Sequence, residues 1–151
     1  MKWYQQLSAE SLGKKGKGLF PIVSIMPKDN HSLLQLYLDG PKNNFFSFFF
    51  TRERSSLKLN NAYLIDGLEH LKKSSLDQVL YAQKKATRNV FNKKKLSFRS
   101  FEIKNKSEET LGELFTFFIL ETLMLSSLLN VNPINQPSVE LIKIETKKIL
   151  K

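Results

Sequence analysis

The chain has no cysteine among its 151 residues. That excludes a disulfide framework and any metal held by thiolates. It suits a reducing compartment, and a cytoplasmic location is the expectation. Histidine is scarce too, with only His31 and His70, and no cluster has metal-ligand spacing. The first residues, Met1 to Gln6, lack the apolar core of a secretory signal. An apolar run free of charge and long enough to span a bilayer is also missing. The most apolar stretch, Leu111 to Val131, carries Glu113 and Glu121, and carboxylates are costly inside a bilayer. It therefore reads as a buried helix of a soluble protein, and no membrane partner is expected. Arginine is rare. The net charge of +10, from 24 Lys+Arg against 14 Asp+Glu, is mostly lysine. Lys93, Lys94, Lys95, Lys147 and Lys148 form short, scattered groups without an arginine-bearing patch or interleaved aromatics. The charge reads as a solvated surface, and no nucleic-acid partner is expected.

What is present suffices for a core. Hydrophobic residues make up 41% of the chain, and the length bounds it at one domain. Residues 3 to 12 read as the end of a helix closed by Gly13. The tract from Gly13 to Gly18 is a basic, glycine-rich loop without P-loop spacing. Phe20 to Ile25 is a short extended run. Leu33, Leu34, Tyr37 and Leu38 have helical spacing within His31 to Leu38, stopped by Gly40 and Pro41. The phenylalanine-rich run Asn44 to Thr51 suits a strand covered on both faces. Leu64 to Leu71 and Leu76 to Asn92 read as helices, and Leu96 to Ile103 as another strand. Ser107 reads as an N-cap, followed by Glu108 and Glu109 at the positive end of a helix reaching about Asn130. Pro137 falls in the first turn of the last helix. There is no internal repeat. Strands separated by helices argue for an α/β fold with a mainly parallel sheet.

Four blocks carry more specific information. The first is Trp3-Tyr4-Gln5-Gln6-Leu7-Ser8-Ala9-Glu10-Ser11-Leu12-Gly13-Lys14. The second is Asp29-Asn30-His31-Ser32, with Gln35, Leu36 and Gly40 following. The third is Leu111-Gly112-Glu113-Leu114, with Phe117 and Phe118. The last is Asn132-Pro133-Ile134-Asn135-Gln136-Pro137-Ser138-Val139-Glu140, with Lys143 beyond it. Gln136 and Lys143 are seven residues apart, which on a regular helix returns to within about 20° of one face. In this order the blocks resemble the glucose-6-phosphate isomerase (phosphoglucose isomerase) family. That family shows Gln-Gln-x-x-x-Glu-Ser-x-Gly-Lys, then Asp-Gln-His-Ser, and near its end Asn-Pro-Phe-Asp-Gln-Pro-Gly-Val-Glu. Here Asn30, Ile134, Asn135 and Ser138 depart from the pattern.

The resemblance implies a three-layer α/β/α sandwich. Residues 1–151 would be the latter part of the second sugar-isomerase domain plus the C-terminal helices, incomplete on the N-terminal side. It implies interconversion of glucose 6-phosphate and fructose 6-phosphate through an enediol(ate), with no metal or organic cofactor. Glu10 would be the base, Gln6 and Gln136 would contact substrate, and Lys143 would assist ring opening. His31 would open the ring in the site of a neighbouring subunit, in a homodimer. The lysine-rich surface is compatible with modest attraction of an anionic sugar phosphate. The family's phosphate-binding Ser/Thr loop and its arginine match no segment here. The alternative is therefore a catalytically incomplete sugar-phosphate-binding or subunit-interaction module. His70 matches nothing and reads as an ordinary surface residue.

Overall fold

Six α-helices and two strands are seen in the computed structural model, which describes residues 1–51, 57–58, 66–72 and 74–151. In order they are α1 (Lys2–Leu12), α2 (Lys28–Ser32), α3 (Leu34–Asp39), β1 (Phe46–Thr51), α4 (Leu76–Lys93), β2 (Phe98–Ile103), α5 (Glu108–Leu129) and α6 (Pro137–Ile149). They fall into two units. One comprises Met1–Val23 with Ser107–Lys151, and the other is Ser24–Lys106.

In the first unit α1 packs on α5. Small residues let the helices approach: Ser8 and Ser11 of α1 are buried, as are Thr122 and Ser126 of α5. The two α5 hydroxyls donate to carbonyls of their own helix, Thr122 to Phe118 at 2.7 Å and Ser126 to Leu123 at 2.7 Å. Neither is left unsatisfied by burial. Trp3 lies 4.5 Å from Phe115 between ring centroids, and Tyr4 4.1 Å from Phe118. The Tyr4 hydroxyl donates to Glu121 Oε2 at 2.9 Å, which gives this carboxylate of the apolar run a polar partner. Ser107 caps α5 by accepting from the Thr110 N–H at 3.3 Å. Asn130 closes it in the left-handed conformation, φ 53, and the Val131 N–H reaches back to Ser126 O at 3.0 Å. That pair of features is a Schellman-type end.

The run from Leu111 is helical as far as Leu129, as expected, but much of it is not buried as expected. Phe118, Thr122 and Ser126 lie on one buried face, whereas Met124 is 69% and Leu128 81% exposed. By length and composition alone α5 could cross a membrane. The physical reason is that α5 carries large apolar residues all around it, while α1 covers a single face.

The second unit is built on a parallel pair, with Phe46 opposite Phe98 through to Thr51 opposite Ile103. A parallel pair needs a crossover, and α4 lies in it. Phe91 of α4, 1% exposed, meets Phe46 at 4.9 Å and Phe48 at 5.0 Å edge-on, a geometry favoured by the ring quadrupoles. Further along the same face, the Lys84 ammonium sits 3.4 Å from the Phe50 centroid and 4.0 Å from Glu102. Phe49 and Phe101 stack on the opposite face at 4.9 Å. Ser75 and Gln78 form a capping box at the start of α4, satisfying two otherwise orphaned N–H groups.

The chain is α/β with a parallel sheet, as the sequence indicates. Among the described residues, however, Phe20 to Ile25 forms no strand. Phe20 is 92% exposed, and the polar groups of the run are used locally. Pro21 O accepts from Gln5, and the Ile25 N–H donates to Asp29. The helix expected over His31 to Leu38 is two short helices broken at Leu33, φ −122. Part of the helix expected over Leu64 to Leu71 lies outside the described residues. Its end, Glu69–Leu71, is a 3₁₀ turn.

Candidate active site

In the first unit the Glu10 carboxylate holds two amides. Gln6, one turn earlier on α1, donates from Nε2 to Glu10 Oε1 at 2.9 Å. The spacing of four puts both side chains on one helix face. Gln136 donates to the other oxygen, Oε2, at 3.1 Å, across 126 residues of sequence. Gln136 is the residue before α6, with φ −135, and Pro137 opens the helix. The segment leading to it is shaped locally, because Asn132 Oδ1 accepts the Ile134 N–H at 2.9 Å. This is an Asx-type turn.

A depression of about 170 Å³, lined by Lys14, Lys15, Asn132, Asn135, Pro137 and Ser138, includes the residues on either side of Gln136 but none of Gln6, Glu10 and Gln136 themselves. The Lys14 ammonium donates to Ser11 O at 3.0 Å and to Asn132 O at 2.5 Å. Lys17 donates to Leu129 O at 2.9 Å. Sequence reasoning singles out neither lysine. The signal for Lys14 is its place in the Glu-Ser-x-Gly-Lys block.

Lys143 is not on Glu10. Its ammonium lies 2.6 Å from Glu140 Oε1, one turn away on α6, and both side chains are exposed. Gln136 precedes the helix and lacks helical φ, so the seven-residue spacing does not by itself give it a shared face with Lys143. The structure thus joins Gln6, Glu10 and Gln136 and leaves Lys143 paired with Glu140.

His31 belongs to the second unit, at the end of α2, and is exposed. Among the described residues its ring makes no hydrogen bond or ion pair. The motif around it is nonetheless ordered. Asp29 accepts the Ile25 N–H at 2.6 Å and the Ser32 hydroxyl at 3.0 Å. These bonds, the backbone one first, hold its carboxyl below the usual range, with Lys28 adding in the same direction. Neighbouring Asn30 has a buried Oδ1 without a hydrogen-bond partner among the described residues. Asn30 occupies the position where the family pattern has glutamine.

Chemically, the first unit offers a carboxylate oriented through both oxygens. Each oxygen keeps a second lone pair free to accept a proton. Among the described residues no group of three or more histidines and acidic residues could hold a metal.

Fold and site define an α/β protein whose most chemically capable group is a carboxylate positioned by two glutamines. No family model matches the chain. It is 40% identical over 146 residues to the glucose-6-phosphate isomerase of Mycoplasmopsis synoviae (strain 53), covering 94% of this chain and 34% of that protein. To the enzyme of the same name from Mycoplasmopsis pulmonis (strain UAB CTIP) it is 39% identical over 153 residues, covering 99% and 36%. A crystal structure of a hypothetical protein from Thermus thermophilus superposes with a TM-score of 0.85 at 28% identity, over 99% of this chain and 37% of that one. The chain belongs to the glucose-6-phosphate isomerase family, and it spans about a third of the length of the relatives it matches.

Proposed function

We propose that this chain is the C-terminal part of an aldose–ketose isomerase acting on glucose 6-phosphate and fructose 6-phosphate. The observation that carries the reading is the Glu10 carboxylate held by Gln6 and Gln136. These three residues come from two of the blocks that resemble the family. Glu10 takes the proton from one carbon of the open-chain sugar and returns it to the neighbouring carbon, through an enediol(ate). Gln6 and Gln136 orient the base and contact hydroxyls. His31, supplied by the partner in a homodimer, opens the ring, and Lys143 assists after leaving Glu140. The phosphate-binding loop and the enediolate-stabilising arginine come from the rest of the isomerase. The site is cytoplasmic and uses no cofactor.

A second reading is a sugar-phosphate-binding or subunit-interaction module without turnover. It is favoured by the exposed apolar side of α5. One experiment separates the two. The chain is expressed alone and together with the portion of the Mycoplasmopsis synoviae relative that it does not cover, and fructose 6-phosphate conversion is assayed. Turnover in the combined protein supports the isomerase. Sugar-phosphate binding without turnover in either form supports the module and sinks the isomerase.

A further inference from the structure

Lys14 and Lys17 face each other across a two-residue turn. The Lys14 N–H donates to Lys17 O at 3.1 Å, and the Lys17 N–H to Lys14 O at 2.9 Å. Between them Lys15 has φ 54 and Gly16 φ 70. Two successive positive φ values are the mark of a type I′ turn. Side chains of such a mutually bonded pair leave the same side of the hairpin. Both ammoniums accordingly reach carbonyls at helix ends. Lys17 reaches Leu129, the last residue of α5. Lys14 bridges Ser11, in the last turn of α1, and Asn132, two residues past the α5 cap. Carbonyls at helix C-termini lack intrahelical partners and carry the negative end of the dipole, so cations are favoured there.

The positions matter more than the number of bonds. Ser11 follows Glu10 directly, and Asn132 begins the segment that ends in Gln136. One ammonium therefore ties together the two segments that carry the carboxylate and its distant amide. Gln6 needs no such help, because it shares α1 with Glu10. The Glu10–Gln136 contact is between exposed side chains and would be weak alone. Charge-assisted bonds from Lys14 to both segments are stronger.

We infer that Lys14, supported by Lys17, is a positioning residue that sets the distance between Glu10 and Gln136. The catalytic consequence rests on the proposed role of Glu10 as base, but the positioning does not. The test begins with the 151-residue chain and the side-chain amide signals of Gln6 and Gln136 in nitrogen-15 correlation spectra. In Lys14→Met the Gln136 signal should move toward its position in Glu10→Ala, with Gln6 unmoved, and Lys14→Arg should keep both in place. An unmoved Gln136 in Lys14→Met, or an equal shift in Lys14→Arg, overturns the inference. If Lys14→Met does not fold, Lys17→Met should give a smaller shift of the same signal, and no shift there overturns it as well. In the completed isomerase Lys14→Met should lower kcat about tenfold or more with KM nearly unchanged, restored by Lys14→Arg. Unchanged kcat in an active enzyme overturns the inference. An inactive completed protein in which Gln136 still shifts sinks the isomerase reading and leaves the positioning intact.

Discussion

Glu10 and Gln136 meet at 3.1 Å although 126 residues separate them. Glu10 sits near the end of α1 and Gln136 just before α6. The contact ties the first helix to the last, and it makes Glu10 the first residue to change.

Glu10→Gln keeps the size of the side chain and removes its ability to take a proton. In the completed isomerase turnover should fall by about 10² to 10⁴, while sugar-phosphate binding stays within a few fold. Exchange of the substrate's carbon-bound deuterium with water measures the lost step directly. Full activity in the variant would remove Glu10 from the reaction.

Phe118 and Phe91 are each 1% exposed, one in each unit. Truncating either to alanine should cost about 3–5 kcal/mol. The single tryptophan, Trp3, packs on Phe115 of α5. Its fluorescence in a urea titration should therefore report the loss from Phe118→Ala. Phe91→Ala is followed by circular dichroism. A change below about 1 kcal/mol in either would mean the site collapses around the cavity.

Asp29 has its pKa lowered by the Ile25 N–H and the Ser32 hydroxyl. Asp39 is lowered by Lys94 first, then Gln35. A carboxyl that is more acidic when folded adds stability above its unfolded pKa, near about pH 4. It loses that stability as pH falls through the folded value. Asp29→Asn should therefore flatten the acid side of a melting-temperature profile. A profile with unchanged slope below about pH 4 would contradict this.

Leu120, Met124 and Leu128 are exposed and spaced four apart along α5. Such a stripe is an aggregation liability in an isolated chain. Replacing all three by lysine should raise soluble yield without lowering the melting temperature. A drop in melting temperature would show that the stripe is covered when the chain is alone.

Ser107→Ala removes the oxygen that accepts the Thr110 N–H. The expected loss is about 1 kcal/mol, read as a lower melting temperature, and Ser107→Asp should restore it.

Local chemistry made much of the fold legible. The Ser107 cap, the acidic first turn and Pro137 at the start of α6 are written in adjacent residues. So are β1 and β2, whose aromatic runs satisfy strand propensity. Phe20 to Ile25 misleads because an apolar composition says nothing about a pairing partner. Its polar groups are taken by Gln5 and Asp29 instead. His31 to Leu38 misleads because apolar spacing does not reveal the break at Leu33.

The site divides in the same way. The sequence alone determined Gln6 beside Glu10, since four residues on one helix guarantee a shared face. It also supplied the four family-like blocks in order. Only the tertiary structure decided that Gln136 rather than Lys143 reaches Glu10, and that Lys14 grips the carbonyl of Asn132. It also chose which face of α5 is buried, because apolar residues lie all around this helix and their periodicity marks no single face. These contacts span most of the chain. They depend on where helix ends lie in space, which neighbouring residues do not encode.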